Sequence, residues 1–208
     1  MYITVIFDVD GTIIDTEQAV LSSLQYLLKN DFGRNYDITE LHFALGIPGT
    51  TSLAKLGIDN VQDACQKWNY YMKNYLSTVK VFTGMEKVLQ NLADKHITTG
   101  IVTSKTNEEL VNDFIPFGLM KYLSFVICAD DTERHKPYPD PLLEFMKRSG
   151  ADVETSIYIG DTEYDFQCAR DAGLDFGLAL WGTKTPALQA KHKFDKPEDI
   201  LEIFRLIV

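Results

Sequence analysis

Cysteine is scarce in this chain of 208 residues: Cys65, Cys128 and Cys168 are the only three. None stands in CxxC spacing, which argues against a thiolate zinc site, and an odd, scattered trio argues against a disulfide framework. Basic residues are also short, with 20 Lys and Arg against 30 Asp and Glu and a net charge of −10. Nucleic acids and anionic membranes both demand a basic footprint, so neither is an expected partner. Long apolar runs are missing as well. The opening run "YITVIF" is cut off by Asp8, far short of the roughly 20 residues that span a bilayer. With no recognisable N-terminal signal segment, the thiols fit a reducing cytoplasm. Neither an internal repeat nor a low-complexity segment is visible.

What remains is an ordinary globular composition, 45% hydrophobic and 24% charged, sufficient for one large domain or a domain with a modest insertion. Short apolar runs alternate with longer helical patterns. Strands are expected at 3–7, 98–103, 123–129, 156–160 and 176–181. They are rich in Val, Ile and Phe and nearly continuously apolar, as strands covered on both faces are. Helices are expected near 84–95, 106–116, 139–149 and 162–172. This alternation predicts an α/β fold, a Rossmann-like parallel sheet with helices on both faces.

One interval breaks the rhythm. About ninety residues separate the first strand from the second, where a βαβ unit needs about thirty. Residues 15–81 show no convincing strand and read as a helical insertion, an α-helical cap, between core segments 1–14 and 82–208. Trp68, Tyr70, Tyr71 and Tyr75 fit the core and flank of that bundle better than a base-stacking platform, because no basic residues interleave with them.

The polar residues with chemistry fall where the strands end: Asp8 and Asp10, then Thr103 and Ser104, then Lys136, then Asp161 and Asp165. In an open parallel sheet those ends share one edge, where ligands bind. Gathered carboxylates repel, each close pair costing up to about 4 kcal/mol at an effective dielectric near 20. A divalent cation relieves this, and an all-oxygen site points to magnesium, Mg2+. Thr103 and Lys136 would add a hydroxyl and a positive charge for phosphoryl oxygens, and the turn opened by Gly11 and Thr12 would add backbone N–H groups.

The segments "DVDGT", "IVTS", "KPYPDP" and "IGDTEYD" resemble, in order, the four motifs of the haloacid dehalogenase-like hydrolase superfamily. The helical insertion after the first motif is similar to the subclass with a helical cap there, which includes phosphoglycolate phosphatases and β-phosphoglucomutases. The resemblance implies that Asp8 is a nucleophile forming an aspartyl-phosphate and that Asp10 protonates the leaving oxygen and later activates water. It also implies magnesium on an Asp8 oxygen, the Asp10 carbonyl and Asp161, with Asp165 as ligand or through water. Dehalogenases of the superfamily lack an Asp at the position of Asp10, so the expected activity is a phosphatase acting on a small phosphorylated metabolite. A sugar-phosphate mutase is the alternative enzyme, and a phospho-accepting signalling module the alternative of another class. A monomer or small homo-oligomer is expected.

Other residues carry less. Asp161 and Asp165 would suit a helix N-terminus on their own. Ser104 is expected to offer only its backbone N–H, and Lys105 to face solvent. His135 has no vacant role beside Lys136, and His42, His96 and His192 read as surface or packing residues. The "LGIPGTT" segment at 45–51 divides evenly between a substrate-facing loop and a plain turn.

Overall fold

The computed structural model describes residues 1–204. β1 (Thr4–Phe7) leads to a tight turn and the two-residue β2 (Ile14–Asp15). A helical stretch comes next: α1 (Glu17–Phe32), a 3₁₀ segment (Ile38–Ala44), α2 (Gly49–Lys55), α3 (Val61–Met72) and a second 3₁₀ segment (Lys73–Thr78). The chain returns through β3 (Lys80–Val81), which pairs antiparallel with β2. It then alternates through α4 (Met85–Asp94), β4 (Thr98–Val102), α5 (Asn107–Asp113), β5 (Phe125–Ile127), α6 (Asp140–Ser149), β6 (Ser156–Gly160), α7 (Glu163–Ala172) and β7 (Asp175–Ala179). Last come β8 (His192–Phe194) and a 3₁₀ turn.

Six strands form one all-parallel sheet in the order β5-β4-β1-β6-β7-β8. Every β1 residue is buried because the strand is central and helices cover both faces. Val5 and Phe7 enter one apolar cluster while Ile6, pointing the other way, enters the second. The expected core strands and helices are all present: β6 keeps its expected bounds, β7 starts one residue earlier and ends two earlier, and the others are shortened by one to four residues. The two-stranded β2–β3 ladder was not expected. It closes the base of the helical stretch, where strands of two residues leave no periodic signal. β8 was also unexpected, since two of its three residues "HKF" at the sheet edge are polar.

Between β2 and β3 the helices bury their own cluster, built from Leu21, Leu24, Leu27, Leu28, Leu41, Leu53, Ile58 and Trp68. The α1 leucines recur at helical spacing and so share one face. Of the aromatic residues assigned to this bundle, Trp68 is buried in it and Tyr71 packs on it. Tyr70 is exposed, and Tyr75 packs on the sheet's cluster instead. Among the described residues, no helix is long and apolar enough to cross a membrane.

Gly100 in β4 has no room for a side chain: a Cβ there would lie 2.4 Å from Phe145 Cε2 and 2.6 Å from the Phe125 carbonyl oxygen. Overpacking of this kind against backbone costs about 1–3 kcal/mol. Gly100→Ala is therefore expected to lower the denaturant midpoint by a corresponding amount, and an unchanged midpoint would contradict this packing.

Candidate active site

The central position of β1 creates the site. It pairs with β4 on one side and β6 on the other, and Phe7 stands opposite both Ile101 and Ile159. The three strands thus end level, and the crevice at that switch point gathers the residue just beyond each strand. Asp8 succeeds β1, Thr103 succeeds β4 and Asp161 succeeds β6.

Asp10 reaches the same edge because the backbone bends after Asp8. Ile13 N and Ile14 N donate to Val9 O at 2.9 and 3.0 Å, and Gly11 N donates to Ile14 O at 2.8 Å. Gly11 takes φ +77°, and a Cβ there would lie 2.3 Å from Asp161 Oδ2. Only glycine allows both the turn and this approach. Trp181 Nε1 steadies the turn by donating to Thr12 O at 3.0 Å, and Gly182 gives it clearance.

Lys136 is the hub. Its Nζ donates to Asp8 Oδ1 at 2.6 Å and Asp165 Oδ1 at 2.7 Å and lies 3.1 Å from Tyr158 Oη, with all four residues buried. Burial alone would depress the ammonium's pKa, but Asp165 and Asp8 outweigh it and hold the group charged. Asp165 is engaged on both oxygens: Oδ1 also meets Tyr158 Oη at 2.9 Å, while Oδ2 accepts from Thr162 N and Oγ1 at 3.0 and 2.5 Å. The capping reading of Asp165 and the site reading are therefore both right, one on each oxygen. Asp161 Oδ1 accepts from Thr12 Oγ1 at 3.2 Å.

Asp8, Asp161 and Asp165 each offer an oxygen, and these lie within 4.8 Å of one another. Asp8 Oδ2 is buried with no hydrogen-bond donor. Burial pushes the Asp8 carboxyl up to about 7, with Lys136 pulling the other way. Asp161 is raised well above the usual carboxylate range by burial, then by Asp165 and Asp8. Three buried carboxylates around one ammonium are short of positive charge, and an orphaned oxygen among them suits a small hard cation. The donor set fits such an ion.

Two expectations fail here. Lys105 does not face solvent; it is buried, 3.1 Å from Asp10 Oδ1 and 3.0 Å from Asp113 Oδ2. The acidic pair captures it, a long-range effect that its neighbours in sequence do not reveal. Ser104 offers more than its backbone, since its Oγ donates to Gly46 O at 3.0 Å, tying the "LGIPGTT" loop to the sheet edge. Thr103 Oγ1 accepts from Lys105 N at 3.1 Å. Thr16, Tyr158, Asp113 and Trp181 also serve the site and carried no motif signal.

A cavity of about 160 Å³ opens above these groups. Asp8, Asp10, Gly11, Ser104 and Asp161 line its floor, while Leu45, Gly46, Ile47 and Trp68 line it from the helical stretch. The 45–51 loop therefore faces the cavity. Thr12, Thr103, Lys136 and Asp165 do not line it but contact lining residues or one another, Thr12 through Asp161, Thr103 through Lys105, and Asp165 through Lys136, which holds Asp8.

The chain resembles known proteins over nearly its whole length. The haloacid dehalogenase-like hydrolase family matches residues 5–179. A protein assigned as the pyrophosphatase PpaX in Caldanaerobacter subterraneus subsp. tengcongensis is 31% identical over 205 residues, covering 98% of this chain and 93% of that one. The pyrophosphatase PpaX of Halalkalibacterium halodurans is 29% identical over 82% of this chain and 80% of its own. A crystal structure from Lactobacillus plantarum, assigned as a phosphoglycolate phosphatase, superposes with a TM-score of 0.90 at 27% identity, covering 98% of this chain and 100% of that one. The chain belongs to the haloacid dehalogenase-like hydrolase family and is an enzyme of the phosphatase type that these relatives represent.

A cation at this cluster would compete with a proton for Asp8. Without metal, the folded chain retains a proton up to about pH 7 that the unfolded chain releases near its usual value of 3.8. Stability of the metal-free protein should therefore fall as pH rises between those values. Magnesium should raise the melting temperature more near pH 7.5 than near pH 5.5. An equal or larger shift at the lower pH would contradict the assignment.

Proposed function

We propose that the chain is a magnesium-dependent phosphatase that hydrolyses a small phosphate monoester, phosphoglycolate-like, a sugar phosphate or similar, through an aspartyl-phosphate. The observation that carries this reading is Asp8 Oδ2, a buried carboxylate oxygen with no donor at the floor of a small cavity, beside a second oxygen held by Lys136. Lys136 orients one oxygen, and no hydrogen-bond donor competes for the other.

In this reading Asp8 attacks phosphorus, and Asp10 protonates the departing oxygen and then draws a proton from water. Lys136 balances charge on the phosphoryl oxygens and the Thr103 hydroxyl donates to them, with the Ser104 N–H nearby, while the expected N–H groups of Gly11 and Thr12 are spent inside the turn on Ile14 O and Val9 O. An Asp8 oxygen, the Asp10 carbonyl and Asp161 would hold magnesium, which when bound neutralises the carboxylates and draws phosphoryl charge. Asp165, already engaged on both oxygens, would reach it through water. Residues 1–14 and 82 onward form the catalytic core and 15–81 a cap; the last four residues of the expected core segment 82–208 lie outside the described residues. The cap closes over the cavity to exclude bulk water and large substrates. The expected setting is the cytoplasm, as a monomer or small homo-oligomer.

Phosphate release from a panel of small monoesters and pyrophosphate tests this. Turnover should require magnesium and fall by at least about 10³-fold in Asp8→Asn. Turnover that survives in Asp8→Asn would reject the nucleophile. A requirement for a sugar bisphosphate activator would mark a mutase, and phosphorylation of Asp8 without turnover would mark a signalling module.

A further inference from the structure

We infer that Lys105, anchored by Asp113, is the positioning residue that aims Asp10 at the leaving oxygen; the inference rests on the phosphatase reading above, in which Asp10 carries the proton. Lys105 is 7% exposed and Asp113 9%, so the ammonium is held between two carboxylates in a largely dry pocket. An ion pair so placed cannot swing as a solvated lysine does, and leaving either charge unpaired there is costly.

The geometry on Asp10 is one-sided. Its Oδ1 takes Thr16 Oγ1 at 2.7 Å and Lys105 Nζ at 3.1 Å. Among the described residues no donor is placed on Oδ2. The Thr16 hydrogen bond and the Lys105 charge converge on Oδ1, orient the carboxyl group and leave Oδ2 to carry the transferable proton. As the Asp8 oxygen bonds to phosphorus and the bond to the leaving oxygen breaks, that oxygen takes the proton from Oδ2. Asp10 becomes a carboxylate facing Lys105, which keeps its own protons throughout. Asp113, at the end of α5, holds the ammonium from behind and keeps it from moving onto Asp8 or the incoming phosphate. The lysine is in turn fixed at its backbone, where its N–H donates to Thr103 Oγ1 and its carbonyl accepts from Ala129 N at 2.8 Å.

The test compares kcat/KM over a series of substituted phenyl phosphates, from 4-nitrophenyl phosphate to esters with progressively poorer leaving groups. This ratio covers steps only as far as departure of the phenol, so hydrolysis of the phosphoenzyme does not enter. A nitrophenolate leaves without a proton, while a poorer leaving group needs one. Lys105→Met should lose about 10²-fold more on the poorest leaving group than on 4-nitrophenyl phosphate. The dependence on leaving-group pKa should steepen, and Lys105→Arg should restore most of it. If the Met variant does not fold by circular dichroism, Lys105→Gln, which keeps a polar group toward Asp113, is used with the same expectation. An equal loss on every ester, or a change confined to KM, would overturn the inference while leaving the phosphatase reading intact. A wild type that turns over no ester in magnesium would overturn both.

Discussion

Everything at this site depends on one buried ammonium. Lys136 holds Asp8 and Asp165 on either side of itself at 2.6 and 2.7 Å, nearly without water. Both carboxylates are buried, and Asp161 beside them adds a third. One lysine cannot balance all three. The shortfall appears in the raised pKa of Asp8 and Asp161 and in the orphaned Asp8 Oδ2. Lys136 therefore organises the cluster without satisfying it, and in the proposed function a divalent cation would supply the missing positive charge.

The fold supplies the convergence. Because β1 lies between β4 and β6, residues more than a hundred positions apart arrive at one crevice with no special loop to carry them. The helical stretch is joined to that edge by the two-residue β2–β3 pairing, by polar links that include Ser104 to Gly46, Thr16 to Asp10 and Lys184 to Glu17, and by Ala19 and Met72 in the sheet's apolar cluster. Thr16 sits just before α1 and touches Asp10, so the segment that covers the cavity is joined directly to a residue of its floor.

The buried strands and the motif residues were legible because each has a local signature: continuous Val and Ile runs between helical patterns, and acids just beyond a strand end. The shared edge on which those strands end was implied by the same alternation. Lys105 was misread because nothing near it in sequence signals burial; its partners are Asp10, far along the chain, and Asp113, which looks like any acid on an exposed helix. Tyr158 looked like one more apolar strand residue in "SIYIG", yet its hydroxyl meets both Lys136 and Asp165. Trp181 and Gly182 support the turn after Asp8 across a distance that only the folded sheet makes short. Contacts of this kind carry no period and no motif, so only three dimensions reveal them.

The central claim, that Asp8 carries the phosphoryl group, is tested most directly by trapping. The magnesium-loaded enzyme is quenched during turnover of a phosphate monoester, reduced with borohydride and mapped by mass spectrometry, which converts an aspartyl-phosphate to homoserine. Homoserine at position 8 is the predicted result. Homoserine at Asp10, Asp161 or another carboxylate, or at none while turnover proceeds, would contradict it.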